Sequence, residues 1–331
     1  MTRPFALAAL LALAAGAARA DGLVTFATYS HLTGNAEMMR RLYSPLRAEQ
    51  IRAELAKAHQ SLGEQAIDLA QEQFFVSVPP RMPAKGYGLI VFIAPWNEGA
   101  APRGWTDVLA AKGFIFVAAA RSGNSQDVAA RREPLALLAW QNIAARYTLD
   151  PGRVYVAGMS GGARVALRVA LGYPDVFDGA LLNAGSDPIG SAEIPLPPRE
   201  LFARFQAHSR LVYLTGALDR EHRDMDRRSE DSMRQWCVGN VTNVIAQGLG
   251  HEPADPESLA GALDALDVPA APDPSLAECR ADLDRTVAAK LAGVKSLEAS
   301  GRRDEALSEL KDIDATYGGL AAPESVALAK P

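Results

Sequence analysis

The sequence has few of the residues that bind metals or cross-link small domains: two cysteines and five histidines among 331 residues. Two cysteines are too few for a disulfide-scaffolded miniprotein or a cysteine-rich zinc site. A Walker loop, a dinucleotide-binding fingerprint and an HExxH motif are also missing, so we expect no cofactor and no metal. The formal charge of −5 argues against a general nucleic-acid-binding protein. The remaining composition, 48% hydrophobic and 22% charged, is typical of a large globular domain.

The sequence contains one long apolar run, residues 5–15, which is too short to span a membrane. Arg3 precedes this run, and Ala18-Arg19-Ala20 follows it. A basic start, an apolar centre and a small-x-small end are the three parts of a secretory signal peptide. We therefore predict a signal peptide over residues 1–20 and export to the periplasm or the medium after cleavage near Ala20. The alternative is an uncleaved N-terminal helix.

Hydrophobic periodicity divides the rest of the chain into three parts. Residues 21–73 are predicted to be an N-terminal helical segment, with Ser44 as N-cap and Pro45 in the first turn of a helix. From residue 74 to 272, short apolar runs alternate with helical stretches, as in a mostly parallel sheet covered by helices on both faces. The predicted strands are residues 74–78, 89–94, 114–118, 154–156, 180–182, 211–214 and 244–246.

Residues 273–331 follow a proline-rich linker and contain two apolar stripes at helical spacing, separated by Gly301. This pattern predicts a helical hairpin that resembles a tetratricopeptide repeat. A single hairpin cannot bury its own apolar face, because such repeats normally need about three copies. We therefore favour packing of the hairpin on the main domain over the alternative, recruitment of a protein partner.

The chemistry is carried by Gly158-Met159-Ser160-Gly161-Gly162, which fits the pattern G-x-S-x-G. An apolar β-type run ends directly before it and a helix rich in small residues follows. That context is typical of a nucleophile elbow, a tight strand-to-helix turn that presents a serine hydroxyl above a sheet. Ser160 is therefore the candidate nucleophile, and Gly161 is expected to give one N–H to an oxyanion hole.

A serine nucleophile needs a base and an acid, which follow it along the chain in the order acid, then histidine. His251 comes after the last predicted strand, on a loop at the edge of the sheet where such sites lie. Asp219 follows the preceding strand through Gly216 and is the candidate acid, with Asp187 as its main rival. Weaker candidates for the acid are Asp224 and Asp226. The other histidines precede the elbow, lie at the opposite end of the sheet or come too soon after the acid: His31, His59, His208 and His222.

The second oxyanion donor is expected from the loop after residues 89–94. Pro95 has no N–H to donate, so Trp96 is the first choice and Asn97 the second. The turn Arg121-Ser122-Gly123-Asn124 either lines the site or is a plain turn.

Residues 74–265 resemble the α/β-hydrolase superfamily, in the branch of exported serine esterases akin to poly(3-hydroxybutyrate) depolymerases and feruloyl esterases. The resemblance implies an α/β-hydrolase fold and a small-molecule or polymeric ester as substrate. These relatives usually carry alanine directly after the serine, where this chain has Gly161. The residues that carry the resemblance are Asp150-Pro151, Arg153-Val154-Tyr155, the elbow, Tyr173-Pro174-Asp175-Val176-Phe177, Gly216, Asp219 and Gly250-His251.

The function predicted from these residues is hydrolysis of carboxylic esters by a Ser160–His251–Asp219 triad through an acyl-enzyme. One alternative is a serine peptidase on the same fold, because ester and amide cleavage use the same triad. Another is a non-catalytic binding protein that acts through the C-terminal hairpin.

The two cysteines, Cys237 and Cys279, are predicted to form a disulfide. An exported protein folds in an oxidising compartment, and the two residues flank the segment that carries His251. The alternative is two buried free thiols.

Overall fold

The computed structural model describes residues 20–270 and 273–330. The predicted signal peptide therefore lies outside the described residues, apart from Ala20. No helix within the described ranges is long and apolar enough to cross a membrane. The strands are β1 (Ala20–Val24), β2 (Phe74–Val78), β3 (Tyr87–Ile93), β4 (Phe114–Ala119), β5 (Leu149–Met159), β6 (Gly179–Asn183), β7 (Arg210–Gly216) and β8 (Val241–Ala246).

The helices lie between and beyond these strands. They are α1 (Asn35–Leu42), α2 (Pro45–Lys57), α3 (Trp105–Ala111), α4 (Glu133–Ala144), α5 (Gly161–Gly172), α6 (Arg199–His208), α7 (Arg220–Gln235), α8 (Pro256–Asp267), α9 (Pro274–Ala299), α10 (Arg303–Tyr317) and α11 (Glu324–Ala329). A single π-helical turn, Val128–Arg132, leads into α4.

The eight described strands form one sheet in the order β1-β2-β4-β3-β5-β6-β7-β8. β1 pairs antiparallel with β2 and β2 antiparallel with β4, and every other pair is parallel. Helices cover both faces of the sheet, as its central strand β3 demonstrates. All seven residues of β3 are buried, with Leu89, Val91 and Ile93 in the hydrophobic cluster on one face and Ile90 and Phe92 in the cluster on the other. The predicted mostly parallel, doubly covered sheet is confirmed.

The N-terminal segment, residues 21–73, is less helical than predicted. Its second helix ends at Lys57, and a short 3-10 turn at Leu69–Gln71 is the one further helical piece before β2. The segment also contributes β1, an edge strand that the sequence analysis did not predict. The sequence of β1 gives little signal, because Gly22 and Asp21 are poor strand formers and its pairing partner lies about fifty residues away.

The C-terminal hairpin packs against the rest of the molecule. Val287, Leu291 and Val294 of α9 and Leu310 and Ile313 of α10 are buried in the same continuous cluster as the sheet face. This burial supports packing rather than an exposed recruiting surface, although the domain boundaries at residues 73 and 272 remain predictions.

A disulfide and a pair of hydrogen bonds hold the hairpin against the rest of the molecule. Cys237, just after α7, and Cys279 in α9 form the expected disulfide, with their Cα atoms 5.9 Å apart. Asp314 in α10 accepts hydrogen bonds from the Ser44 hydroxyl (2.5 Å) and the Leu46 N–H (3.0 Å). The start of α2 is thus capped by a residue of α10, and the Ser44 side chain bonds Asp314 instead of an amide of its own helix.

Candidate active site

The candidate nucleophile lies in a strained turn between β5 and α5. Ser160 has φ 55° and ψ −124°, a conformation that costs a non-glycine residue about 1–3 kcal/mol and must be held by its surroundings. The Ser160 N–H donates to the Asn183 carbonyl at 2.8 Å. Gly162 follows closely, and a Cβ there would lie 1.9 Å from the Ile93 oxygen, so any larger residue would push the helix away from β3. The strand–turn–helix expected for a nucleophile elbow is present.

Three side chains from separate segments meet at the carboxyl edge of the sheet. His251, between β8 and α8, has its Nε2 3.0 Å from Ser160 Oγ. Its Nδ1 is 2.7 Å from Oδ2 of Asp219, which follows β7 and caps α7. Both distances are within hydrogen-bond range, so the arrangement can pass a proton from the serine hydroxyl to the imidazole while the carboxylate orients the ring.

Asp219 also bonds a second histidine, which the sequence analysis had rejected. His222 Nδ1 is 2.8 Å from Asp219 Oδ1, and the His222 ring stacks on His251 with centroids 3.9 Å apart. Burial disfavours the charged form of Asp219, but hydrogen bonds from His222 and His251 outweigh it and keep the pKa below the ordinary value. The expectation that His222 is too near the acid to be its partner across the site still holds, because His251 is the histidine that bonds Ser160. The additional hydrogen bond between His222 and Asp219 was not predicted. Asp219 is the N-cap of α7, and a residue three positions later in a helix lies on the same face as the cap, which places the His222 ring beside the Asp219 carboxylate.

Asp219, His222 and His251 also form a group with metal-ligand chemistry. One ligand atom from each lies within 4.8 Å of the others, a set of two imidazoles and one carboxylate that suits a transition metal. In the structure both Nδ1 atoms already bond the carboxylate, so the hydrogen-bonded network by itself accounts for the arrangement.

The rival carboxylates lie elsewhere. Asp187 is 3.8 Å from the Arg164 Nε and lines the cavity in front of Ser160. Asp226 is buried and accepts hydrogen bonds from Ser186 and Thr215. Asp224 is exposed and pairs with Arg227 on its own helix. None of the three has a hydrogen bond to His251 in the described structure.

Two loops form the other side of the elbow, where the oxyanion hole is predicted. The loop after β3 carries Trp96, whose ring packs beside Phe92 with centroids 6.0 Å apart. The loop after β4 is joined to it, because the Asn124 N–H donates to the Pro95 oxygen at 3.0 Å. Asn124 also lines the cavity with Ser160, so this turn belongs to the site. The role of the Trp96 and Gly161 N–H groups remains a prediction.

The unusual Gly161 has a physical explanation. A Cβ at this position would lie 2.4 Å from the Asn124 side-chain oxygen. The Asn124 amide therefore occupies the space that the alanine methyl group of the resembling esterases would need.

Buried Arg132 holds these loops together and was missed by the sequence analysis. Its guanidinium donates to the carbonyls of Ser122 (2.9 Å), Ala94 (3.0 Å) and Gly161 (3.3 Å). Burial lowers the pKa of Arg132 to about 10, which leaves it charged at neutral pH. One cation thus joins the elbow to the loops after β3 and β4.

Asn183, at the end of β6, also joins separate segments of the site through hydrogen bonds. Besides accepting from the Ser160 N–H, it accepts from the Ala254 N–H through its side chain at 2.9 Å and donates to the Leu214 carbonyl at 2.8 Å. Ala254 lies in the loop that carries His251, so Asn183 holds the backbone of both the candidate nucleophile and the loop of the candidate base. A lone Asn at the end of a strand gives no sequence signal for this role.

Ser160 opens into a cavity of about 1250 Å³. The lining includes Ser160, Gly161 and Arg164 at the elbow. It also includes residues of α2 and α10, namely Leu46, Arg47, Gln50, Lys311, Asp314 and Ala315. The two helical segments outside the α/β core therefore complete the cavity.

The strand order, the elbow and the positions of the three side chains after β5, β7 and β8 are those of an α/β-hydrolase. The α/β-hydrolase fold predicted from the sequence is therefore confirmed. Residues 118–218, which include the elbow and end one residue before Asp219, match the esterase PHB depolymerase family. The predicted resemblance to esterases of this type is confirmed over those residues.

The related proteins cover only part of the chain. Poly(3-hydroxyalkanoate) depolymerase C of Paucimonas lemoignei is 33% identical over 129 residues, covering 34% of this chain. The match spans 31% of that protein's length. An S-formylglutathione hydrolase from Staphylococcus aureus aligns at 11% identity and TM-score 0.46, covering 59% of this chain and 92% of its own. A putative dipeptidyl aminopeptidase IV from Bacteroides ovatus aligns at 14% identity and TM-score 0.42, and the alignment covers 58% of this chain and 33% of that protein.

Proposed function

We propose that this protein is an exported serine hydrolase that cleaves carboxylic esters through an acyl-enzyme. The observation that carries the proposal is the continuous hydrogen-bonded chain Ser160 Oγ–His251 Nε2–His251 Nδ1–Asp219 Oδ2, at 3.0 and 2.7 Å, beside a large cavity. The esterase family match over residues 118–218 supports an ester as substrate.

In the first half-reaction the Ser160 oxygen attacks the ester carbonyl carbon while His251 Nε2 takes the hydroxyl proton. Asp219 keeps the proton on Nδ1 and stabilises the imidazolium. The N–H groups of Gly161 and Trp96 donate to the oxyanion, which the N-terminal end of α5 also favours. The intermediate collapses when the C–O bond to the alcohol breaks and His251 returns the proton to the leaving oxygen.

In the second half-reaction a water molecule attacks the acyl-enzyme, again giving a proton to His251. Collapse of this intermediate releases the carboxylic acid and returns the proton to Ser160. The strained backbone at Ser160 serves this cycle, because it presents the hydroxyl above the sheet to both the substrate and His251.

Rates with p-nitrophenyl acetate and butyrate, compared with peptide p-nitroanilides, test the reaction class. We expect the esters to be hydrolysed, a fluorophosphonate probe to label Ser160, and Ser160→Ala to abolish both. Faster cleavage of the anilides would favour a peptidase. If folded protein leaves the probe unreacted and hydrolyses no ester in a broad panel, the non-catalytic alternative replaces the enzyme.

Export is proposed from the pattern of residues 1–20 and supported by the Cys237–Cys279 disulfide, since such bonds persist in oxidising compartments. N-terminal sequencing of the protein from periplasmic and culture fractions tests it. A chain that begins at Asp21 is expected, and an intact N-terminus in the cytoplasmic fraction would contradict it.

A further inference from the structure

Five cationic side chains line the cavity in front of Ser160: Arg47, Arg132, Arg164, Arg168 and Lys311. Arg132 donates to three backbone carbonyls, as described above. Arg168 pairs with buried Glu133 at 2.7 Å, and Arg47 at the rim reaches Glu54 at 3.4 Å. These three guanidinium groups have acceptors within the protein.

Arg164 is different, because its contacts are long or weak. Its Nε is buried without a hydrogen-bond partner, and the nearest carboxylate oxygen, on Asp187, is 3.8 Å away. Its Nη2 contacts the sulfur of Met225 at 3.6 Å, and a thioether is a weak acceptor. Donors of a charged group normally have strong acceptors, and no such acceptor within the protein holds this partly exposed guanidinium. Its accessible nitrogens are therefore able to donate to a ligand.

The position of Arg164 gives that capacity a use. It lies one helical turn after the nucleophile, where its backbone N–H faces the Ser160 carbonyl at 3.4 Å. Its side chain is 42% exposed and lines the same cavity as Ser160. A group held by Arg164 would therefore share the cavity with an ester bound at Ser160. A planar guanidinium fork is suited to a carboxylate, which it can bind through two parallel hydrogen bonds.

We infer that Arg164 binds a carboxylate carried by the substrate, so that the preferred substrates are esters with a free carboxylate near the scissile bond. This inference rests on the proposed ester hydrolysis. Asp187 is expected to weaken binding of an anionic substrate, because its carboxylate lies 3.8 Å from the same guanidinium and repels a second anion.

Matched ester pairs test the inference on both sides of the scissile bond. For the acyl side, mono-p-nitrophenyl glutarate is compared with p-nitrophenyl pentanoate, which has the same chain length without the charge. For the alcohol side, 3-acetoxybenzoate is compared with 3-methylphenyl acetate. The measured quantity is the ratio of kcat/KM for the anionic ester to kcat/KM for the neutral one. We expect the ratio to exceed one in at least one pair and to fall as salt is added.

Two substitutions should move this ratio in opposite directions. Arg164→Met should lower it about 10- to 100-fold, the loss expected for a charge-assisted hydrogen bond pair, and Arg164→Lys should retain part of the preference. Asp187→Asn should raise it several-fold, since a competing anion is removed. Arg227→Met is the control: it removes a cation from the exposed face of α7 and should leave the ratio unchanged.

A ratio of one or less in both pairs, or a ratio unaffected by Arg164→Met in folded protein, would overturn the inference. Hydrolysis of the neutral esters in that case would leave the proposed function intact. If no ester of either kind is hydrolysed and Ser160 does not react with a fluorophosphonate, both the proposed function and the inference about Arg164 are contradicted.

Discussion

His222 lies face to face with His251, with ring centroids 3.9 Å apart and an angle of 20° between the planes. Their Nδ1 atoms bond opposite oxygens of one carboxylate, Asp219, at 2.8 and 2.7 Å. Both oxygens of the acid are therefore occupied by imidazoles, and one face of the candidate base is covered by an aromatic ring. This arrangement fixes the rotation of the carboxylate and the plane of the His251 ring at the same time.

The two contacts of His222 can be separated by substitution. His222→Phe keeps a ring against His251 but loses the hydrogen bond to Asp219, whereas His222→Asn keeps a polar donor and loses the ring. Each should lower kcat about 3- to 10-fold with little change in KM, because the lost contact orients the base and does not touch the substrate. Steady-state kinetics on p-nitrophenyl butyrate provide the measurement. Wild-type kcat in both variants would show that His222 is merely a neighbour.

Ser160, His251 and Asp219 should behave as one unit. Ser160→Ala and His251→Ala should each lower kcat by several orders of magnitude, and the double variant should lose little more. Asp219→Asn should cost less than either, since it disturbs the tautomer and leaves nucleophile and base in place. Asp187→Asn is the matched control for the acid on a neutral ester. Loss of activity in Asp187→Asn with full activity in Asp219→Asn would reverse the assignment of the acid.

Arg132 should be needed for both stability and turnover. Arg132→Met removes the donor from two buried carbonyls and one half-buried carbonyl, which we expect to lower the free energy of unfolding by about 2–4 kcal/mol and kcat by at least about 10-fold. Neighbouring Arg131 is a good comparison, because it pairs with Glu72 at 2.6 Å and has no bond to the elbow. Arg131→Met should lower stability without a comparable loss of kcat. Equal losses of kcat in the two variants would mean that Arg132 has no special role in holding the loops after β3 and β4.

Asp226 should make the protein less stable as the pH rises. Burial raises the pKa of Asp226 to about 6, despite hydrogen bonds from Thr215 and Ser186. Between pH 4 and 6 the folded state holds a proton that the unfolded chain releases, so the free energy of unfolding falls across this window by about 2–3 kcal/mol. Urea titrations give the change in the free energy of unfolding from pH 4.5 to 7.5, and this change should be more negative in the wild type than in Asp226→Asn. The same change in both proteins would show that Asp226 ionises normally.

The Cys237–Cys279 disulfide should stabilise the fold by reducing the conformational entropy of the unfolded chain. Its 42-residue separation predicts that replacing both cysteines by alanine lowers the free energy of unfolding by about 2–4 kcal/mol. Thiol titration of denatured, unreduced protein from its native compartment should find no free thiol. Two thiols per chain would refute the bond in the cell.

The sequence by itself determined the parts of this protein that are encoded locally. Apolar runs bounded by turns marked seven strands, and the elbow residues Gly158-Met159-Ser160-Gly161-Gly162 marked the nucleophile, because a tight strand-to-helix turn needs small residues at fixed spacing. Chain order and position after a strand then singled out Asp219 and His251, the two side chains that the structure brings to Ser160.

Only the tertiary structure decided the rest, because those features depend on residues far apart in the chain. The strand β1 forms through pairing with β2, and Asp314 caps a helix some 270 residues earlier in the sequence. Arg132 and Asn183 acquire their roles from carbonyl and amide groups of separate loops, for which no local pattern exists. His222 follows Asp219 by three residues, but only the loop that returns with His251 places a second ring against it. The cavity is likewise closed by α2 and α10, whose apolar stripes predict burial without specifying which surface they cover.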